Sequence, residues 1–200
     1  MNVRIAQLIT FNAGSWYDYS LEMNEYTVKL WMITNTYDSL EQNIAVGRIK
    51  HFIYNQLDST IFVNSDEKTR CVDFIRAGLN ITTMPGDPAD QLIGIMLFHK
   101  LNAIMEERIK IVEIEISANT GVVYLHNENE TSEDLMIPVW WNSTDLTHCD
   151  SNLIVSEKVL SIPQNTAWRE CGLAWPDESK DIETGNVVVF ADFKNLNETE

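Results

Sequence analysis

Four histidines and three cysteines are the residues of this sequence best suited to ligate a metal or to act as nucleophiles. The histidines are His51, His99, His126 and His148. None of them lies at metal-ligand spacing from another. His148 precedes Cys149, with Cys171 downstream, which could form one corner of a metal site, but such loose spacing is more typical of unrelated residues. We therefore expect neither a metal nor a cofactor.

Motifs for the common enzyme classes are missing from the sequence. It has no Gly-rich phosphate loop, no Gly-x-Ser-x-Gly elbow and no His-Glu-x-x-His pair. The number of cysteines is odd, since Cys71 joins Cys149 and Cys171, and no Cys-x-x-Cys spacing occurs. Both features indicate reduced thiols rather than disulfides. No apolar leader opens the chain, and no apolar run approaches the roughly 18 residues of a membrane span. These features predict a cytoplasmic protein.

The negative charge of the chain limits the kinds of molecule that it could bind. The formal net charge is −16 and the pI is near 4.5, which argues against nucleic acid and anionic membranes. A solvated acidic surface explains the charge better than mimicry of DNA. Hydrophobic residues make up 44% of the chain and include six Trp, enough for a folded core.

The elements that must position any site are clearest between Asp87 and His126. Asp87 suits a helix N-cap, Pro88 the first helical position, and Asp90 the positive end of the helix. Apolar residues then recur at helical spacing. They are Leu92, Ile93, Met96, Leu97, Leu101, Ile104 and Met105. The pattern predicts a helix through Met105.

A β-hairpin is predicted to follow this helix. Between Arg108 and Ser117 apolar residues alternate with Glu113 and Glu115, the period of a half-buried strand. Asn119-Thr120-Gly121 supplies turn residues, and a second strand runs to His126.

Two strands and a helix are predicted before this unit. Val3–Phe11 reads as a strand that Asn12–Ser15 breaks, and Glu25–Thr34 reads as a strand covered on both faces. Asp38 and Glu41 resemble a capping box that opens a helix ending at Asp58-Ser59.

Weaker signals fill the space between the two helices. Thr60–Val63 is predicted to be extended, Asn64–Thr69 a polar loop, and Cys71–Leu79 irregular or extended.

Residues 128–200 differ in composition from the rest. The stretch Asn127–Asp134 is polar and acidic, and the short apolar runs beyond it lack a helical period. We interpret 128–200 as a β-rich extension to a domain at 1–127. Trp140 and Trp141 could form a protein interface or a stacking wall, or else the small core of this extension.

The predicted order of strand, strand, helix, helix, strand, strand resembles the tunnelling fold (T-fold). This α+β fold is shared by 6-pyruvoyltetrahydropterin synthases, 6-carboxytetrahydropterin synthases, GTP cyclohydrolase I and urate oxidase. A ferredoxin-like βαββαβ from Tyr26 to Ser117 is the alternative, with Thr60–Val63 and Cys71–Ile75 as middle strands.

Short motifs favour the pterin synthases. Phe11-Asn12-Ala13 is similar to their Phe-Ser-Ala, and Glu25-Tyr26-Thr27-Val28 to their Asn-Tyr-x-Val. Leu57-Asp58-Ser59-Thr60 resembles their Leu-Asp-His-Arg, and Pro88-Ala89-Asp90-Gln91 stands where they carry Thr-x-Glu-Asn. Ile111–Tyr124 resembles their closing hairpin, so the resemblance covers residues 5 to 126.

The family's zinc ligands have no counterpart here. Its three His positions correspond to Ser15 or Trp16, then Glu22 and Asn24. The catalytic Asp-His pair becomes Asp58-Ser59, and the catalytic Cys is missing. We therefore expect no zinc site and no pterin-synthase reaction.

The resemblance also implies a ligand-binding carboxylate. Such folds use a strand Glu to hold the amidine edge of a pterin or purine, because a carboxylate can accept two N–H bonds. Glu115 is nearest to that position, although strict alignment places Ile116 there. Alternatively, Glu113 and Glu115 only form a solvent-facing strand surface. Asp58 and Asp90 are the further candidates for ligand binding.

These inferences predict a zinc-free relative of pterin synthases that binds a pterin, purine or nucleotide, or serves as an oligomeric scaffold. Open sheet edges in a T-fold predict a homo-oligomer. The alternative is an acidic protein-interaction module with no small ligand, which contacts its partner through Trp140 and Trp141.

Overall fold

A mixed six-stranded sheet is the frame of the protein. The computed structural model describes residues 4–130, 137–149 and 167–177. The strands lie in the order β4-β3-β1-β2-β5-β6. They are β1 Arg4–Tyr17, β2 Ser20–Thr34, β3 Ile61–Asn64, β4 Ile81–Met84, β5 Ile109–Ser117 and β6 Val123–Asn127.

The β1–β2 hairpin is longer than predicted. Pairing continues to Tyr17 opposite Ser20, so the predicted break at Asn12–Ser15 is wrong. These polar and small residues stay in the strand because the alternate positions Ala13 and Ser15 are buried among the core residues. The chain reverses only at Asp18-Tyr19, where both residues have positive φ.

Helices α1 (Ser39–Phe52) and α3 (Asp90–Met105) pack with one face of the sheet in a single hydrophobic core. Asp38 caps α1 by accepting a 2.8 Å hydrogen bond from the amide of Leu40. Glu41 does not complete the predicted capping box, because it accepts from Thr36 instead. A π-helical turn, Ile53–Leu57, extends α1 to Asp58.

The start of α3 differs from the prediction. Ala89 occupies the N-cap position, and Asp90 is the first helical residue. Asp87 instead accepts a 3.0 Å hydrogen bond from the side-chain amide of Asn64, which ties the loop before α3 to the end of β3.

A β3–α2–β4 unit extends the sheet beyond β1. Helix α2 (Lys68–Arg76) lies where the sequence predicts a polar loop at Asn64–Thr69 and an irregular or extended segment at Cys71–Leu79. Both predictions are wrong where they overlap the helix. Cys71, Phe74 and Ile75 share one helical face and pack with Trp16 in a second hydrophobic cluster. Helix formation at Cys71–Ile75 also rules out the ferredoxin-like alternative.

The predicted α+β architecture is confirmed. β1, β2, β5 and β6 form an antiparallel unit with α1 and α3 on one face, the T-fold arrangement. One row of side chains on the other face runs across these strands: Leu8 opposite Lys29, Lys29 opposite Glu115, and Glu115 opposite Leu125. We call the surface carrying this row the open face.

The described part of the predicted β-rich extension contains no strand. Over 137–149 and 167–177 the chain forms loops, turns and a 3₁₀ turn at Val139–Asn142, where a strand was expected. The other apolar runs of the extension, 152–162 and 186–190, lie outside the described residues.

Trp140 and Trp141 belong to the main hydrophobic core. Their side chains are 4% and 0% exposed, so in this structure neither presents a surface to a partner protein. Trp141 stacks against His99 of α3 at 6.2 Å, because the 3₁₀ turn packs on that helix. Among the described residues no helix is long and apolar enough to cross a membrane.

Candidate functional site

A polar cluster lies on the buried side of the β1–β2 hairpin. Ser15 is directly opposite Glu22 in the strand register, and Asn24 and Tyr26 follow Glu22 on the same face. Asp90, at the first position of α3, is close enough for its charge to act on Tyr26. We call these five residues the hairpin cluster.

The hydroxyl of Tyr26 forms the centre of the hairpin cluster. The ring is fully buried, stacked on Phe11 at 5.2 Å and edge-on to Phe62 at 6.0 Å. The hydroxyl oxygens of Tyr26 and Ser15 are 2.7 Å apart. The side-chain amide of Asn24 donates to the Tyr26 hydroxyl at 3.5 Å. Both side chains that contact this hydroxyl are therefore polar, and they come from the two strands of the hairpin.

Burial and negative charge both favour protonated groups in the hairpin cluster. Burial raises the pKa of Asp90, and the nearby charge of Glu22 raises it further. The pKa of Tyr26 is also raised, first by burial and also by Asp90 and Glu22, against the hydrogen bonds from Ser15 and Asn24. A ligand that donates hydrogen bonds or carries positive charge would relieve this repulsion.

The donor set does not suit zinc. Ser15, Glu22 and Asn24 offer oxygen atoms and one carboxylate, whereas zinc sites in proteins are built mainly from His and Cys. Trp16, the alternative to Ser15 at the first His position, faces the other way and donates to Glu67 at 2.8 Å. Among the described residues no group of three His, Cys, Asp or Glu side chains could hold a metal.

The carboxylate of Asp58 contacts the backbone of β1. Its carboxylate accepts a 2.9 Å hydrogen bond from the amide of Asn12, and the amide of Ser59 donates to the carbonyl of Asn12 at 2.6 Å. These bonds fix the end of the π-helical turn to β1. Ser59 adopts φ of 66°, a left-handed conformation that is uncommon for a residue other than glycine.

Glu115 lies on the open face, away from the hairpin cluster. Its carboxylate is 3.8 Å from the ammonium of Lys29. Ile116, which strict alignment places at the family's Glu position, is instead buried against Gly94 of α3. Of the three predicted ligand-binding residues, Asp90 alone belongs to the cluster.

Sequence reasoning found the positions of Ser15, Glu22 and Asn24 only as replacements for zinc ligands. Tyr26 was assigned to the core of a strand, and its hydroxyl was overlooked. The alternation Glu22, Asn24, Tyr26 was the available signal, because it puts three polar groups on one strand face.

Pterin synthases are among the similar solved structures. An uncharacterized protein from Wolinella succinogenes aligns with 64% of this chain and 99% of its own, at 12% identity and a TM-score of 0.48. A catalytic-residue mutant of the 6-pyruvoyltetrahydropterin synthase of Plasmodium vivax covers the same shares at 12% identity and a TM-score of 0.41. The Plasmodium falciparum enzyme aligns with 63% of this chain and 98% of its own, at 15% identity and a TM-score of 0.38.

No protein-family model and no curated protein matches the chain. Because the identities and TM-scores of the similar structures are low, the proposals below rest on the residues of this chain.

Proposed function

We propose that this chain is a zinc-free relative of pterin synthases that binds a pterin or purine base at the hairpin cluster. The observation that carries the proposal is the buried Ser15–Tyr26 hydroxyl pair, 2.7 Å apart, with Glu22 opposite Ser15 in the strand register. The negative charges of Asp90 and Glu22 also act on Tyr26. The motifs around Phe11, Tyr26, Asp58 and Asp90 and the antiparallel strand arrangement support the relationship. No reaction is part of this proposal.

The chemistry of the hairpin cluster favours a base over a phosphate. Pterins and purines such as guanine present adjacent N–H groups, which a carboxylate can accept in pairs. A phosphate would meet two carboxylates in a chain of net charge −16. We therefore expect a free base or nucleoside to bind more tightly than the matching nucleotide.

Calorimetric titration with pterin, guanine, guanosine and guanosine monophosphate tests the proposal. Asp90→Asn should weaken binding of the best ligand by about 1.5–3 kcal/mol, roughly 10- to 150-fold, because it removes a charged acceptor. Glu22→Gln should act in the same direction. Glu25→Gln is the matched control, since Glu25 alternates to the opposite strand face.

Two results would contradict this proposal. One is binding that Asp90→Asn and Glu22→Gln leave unchanged. The other is the absence of any binding or thermal stabilisation, which would favour the protein-interaction alternative.

Glu115 requires a second copy of the chain if it also holds the ligand. It lies on the opposite sheet face from Asp90, so one ligand can reach both carboxylates only across a subunit boundary. Under that proposal Glu115→Gln weakens binding, while Glu113→Gln, two residues away on the same strand, does not. Equal and negligible effects would leave Glu115 as a surface partner of Lys29.

Asp58 is the weaker candidate for ligand binding, because its carboxylate already accepts from the amide of Asn12. We propose that it fixes the end of the π-helical turn to β1, and that Asp58→Asn changes stability more than ligand affinity.

A further inference from the structure

Cys171 differs from the other two cysteines because a base lies beside its thiol. Its Sγ is 3.4 Å from Nε2 of His51 on α1. The thiols of Cys71 and Cys149 donate to backbone carbonyl oxygens, at 3.8 and 3.0 Å. A carbonyl oxygen cannot take up a thiol proton near neutral pH, whereas a neutral imidazole nitrogen can.

The turn that carries Cys171 is fixed against α1. Trp168 is buried, donates from its indole nitrogen to the carbonyl of Thr144 at 2.6 Å, and meets the His51 ring edge-on at 6.0 Å. The carbonyl of Leu173 accepts a 2.8 Å hydrogen bond from Nε of Arg48. Contacts on both sides of Cys171 therefore hold its thiol next to the imidazole.

Asn55 provides a third group on the far side of the imidazole. It lies one helical turn after His51, with its side-chain amide nitrogen 3.4 Å from Nδ1. Rotating this amide by half a turn brings its oxygen to Nδ1; Nδ1 then carries the ring proton and Nε2 is free to accept from the thiol. Cys171, His51 and Asn55 then have the residue types and contact order of the Cys-His-Asn arrangement in thiol enzymes.

We propose that Cys171 is a nucleophilic thiol with His51 as its base, and that it is the site at which small disulfides modify this chain. His51 takes the thiol proton as the Cys171 sulfur attacks one sulfur of the disulfide. A new S–S bond forms, the original S–S bond breaks, and the departing thiolate takes the proton from His51. Cys171 ends as a mixed disulfide, and half of the small molecule is released as a thiol.

The resting pair is neutral. Burial raises the pKa of Cys171, with a further rise from Glu170, and burial lowers the pKa of His51. Proton transfer must then accompany the attack, and the rate should depend on the unprotonated imidazole. It should fall as the pH drops through the lowered pKa of His51.

The test is the reaction of the full chain with oxidised glutathione, followed by mass spectrometry of the three cysteines. We expect Cys171 to react first at neutral pH, and His51→Gln to slow its reaction roughly tenfold or more. Asn55→Ala should slow it less, and Asn43→Ala, at an exposed Asn of the same helix, should not change it. In denaturing urea the wild type and His51→Gln should react equally, because the geometry is lost.

Equal rates for the folded wild type and His51→Gln would overturn the proposal, as would equal modification of Cys149 and Cys171. Slow modification of the buried Cys71 verifies that each variant is folded. If His51→Gln exposes Cys71, the wild-type pH profile decides instead. A rate that rises steadily with hydroxide concentration, without an inflection near the imidazole pKa, would then overturn it.

Discussion

At the scale of single residues, the buried cation of Lys100 attaches the C-terminal segment to α3. Lys100 of α3 donates to the carbonyls of Trp140 and Ser143 at 3.1 and 2.9 Å. Burial lowers the pKa of Lys100 to about 8, against the charge of Asp145, which raises it. Burying an ammonium group without hydrogen-bond partners costs much solvation free energy, and these hydrogen bonds offset that cost. Lys100 is therefore a structural contact rather than a second site.

The half-buried His99 predicts a loss of stability in mild acid. Burial lowers its pKa, and the neighbouring His126 lowers it further, whereas a hydrogen bond to the side chain of Asn142 raises it. The unfolded chain takes up the proton near pH 6.5, whereas the folded chain does so only at lower pH. The free energy of unfolding should therefore fall as the pH drops below about 6.5.

Urea unfolding between about pH 5 and pH 8 measures this effect. His51 and His148 have pKa values lowered by burial as well and add to the slope. His99→Gln should make the decline shallower, because it removes one of the three contributions. An unchanged slope in His99→Gln would contradict the assignment to His99.

At the scale of elements, the sequence predicted the long helices and the paired strands. Helices α1 and α3 have 14 and 16 residues and bury many apolar side chains, and strands β1, β2 and β5 have nine or more residues each. Helix α2 was missed because it is short and mostly half-buried or exposed, and Cys71 is the single fully buried residue that sets its face. The cap of α3 was misplaced because a tertiary contact from Asn64 engages Asp87, which local sequence cannot show.

Pairing across strands also limited prediction of the site. Glu22 and Asp90 are far apart in sequence, and the charge of Glu22 acts on Asp90 only because α3 packs on the sheet. The resemblance to a family motif identifies Asp90 as a candidate. The hydroxyl pair of Ser15 and Tyr26 depends on the register between β1 and β2, which only the structure gives. The predicted end of β1 at Phe11 leaves Ser15 outside the strand and so hides the pair, whereas the strand continues to Tyr17.

The contact between α3 and β5 depends on Gly94. A Cβ added there would lie 2.8 Å from Cγ2 of Ile116, on a branch that cannot swing away easily. Gly94→Ala should destabilise the fold by about 1–3 kcal/mol from overpacking, more than the gain of at most ~1 kcal/mol in helix propensity. Urea unfolding measures the difference.

Two variants show whether the Gly94 effect comes from the clash. Gly86→Ala should be nearly neutral, because its Cβ would meet only Leu92 at 3.9 Å. Combining Gly94→Ala with Ile116→Ala should cost less than the sum of the two, since the second change removes the obstructing methyl group. Simple additivity would place the cause elsewhere.

At the scale of the whole molecule, the two edge strands of the sheet, β4 and β6, have different surroundings. At the β4 edge, the amide of Thr83 donates to the carbonyl of His148 and the thiol of Cys149 donates to the carbonyl of Ile81. The C-terminal segment thus covers that edge. At the other end, β6 pairs with β5 alone among the described strands, and it presents exposed Val123 and Leu125. An edge that the described residues leave open, next to apolar side chains, favours association with another strand.

We predict that copies of the chain associate through β6 and the open face. Leu8 and Leu125 are 65% and 56% exposed on that face, although both are large apolar side chains. Leu125→Lys would place a charge in the contact and should weaken self-association at least roughly tenfold, the effect of about 1.4 kcal/mol. Val139→Lys is the matched control, since Val139 is 90% exposed and lies outside the sheet. Native mass spectrometry across micromolar concentrations compares the wild type with both variants. A wild type that stays monomeric, or a Leu125→Lys variant that assembles as well as Val139→Lys, would show that the open face is not a subunit contact.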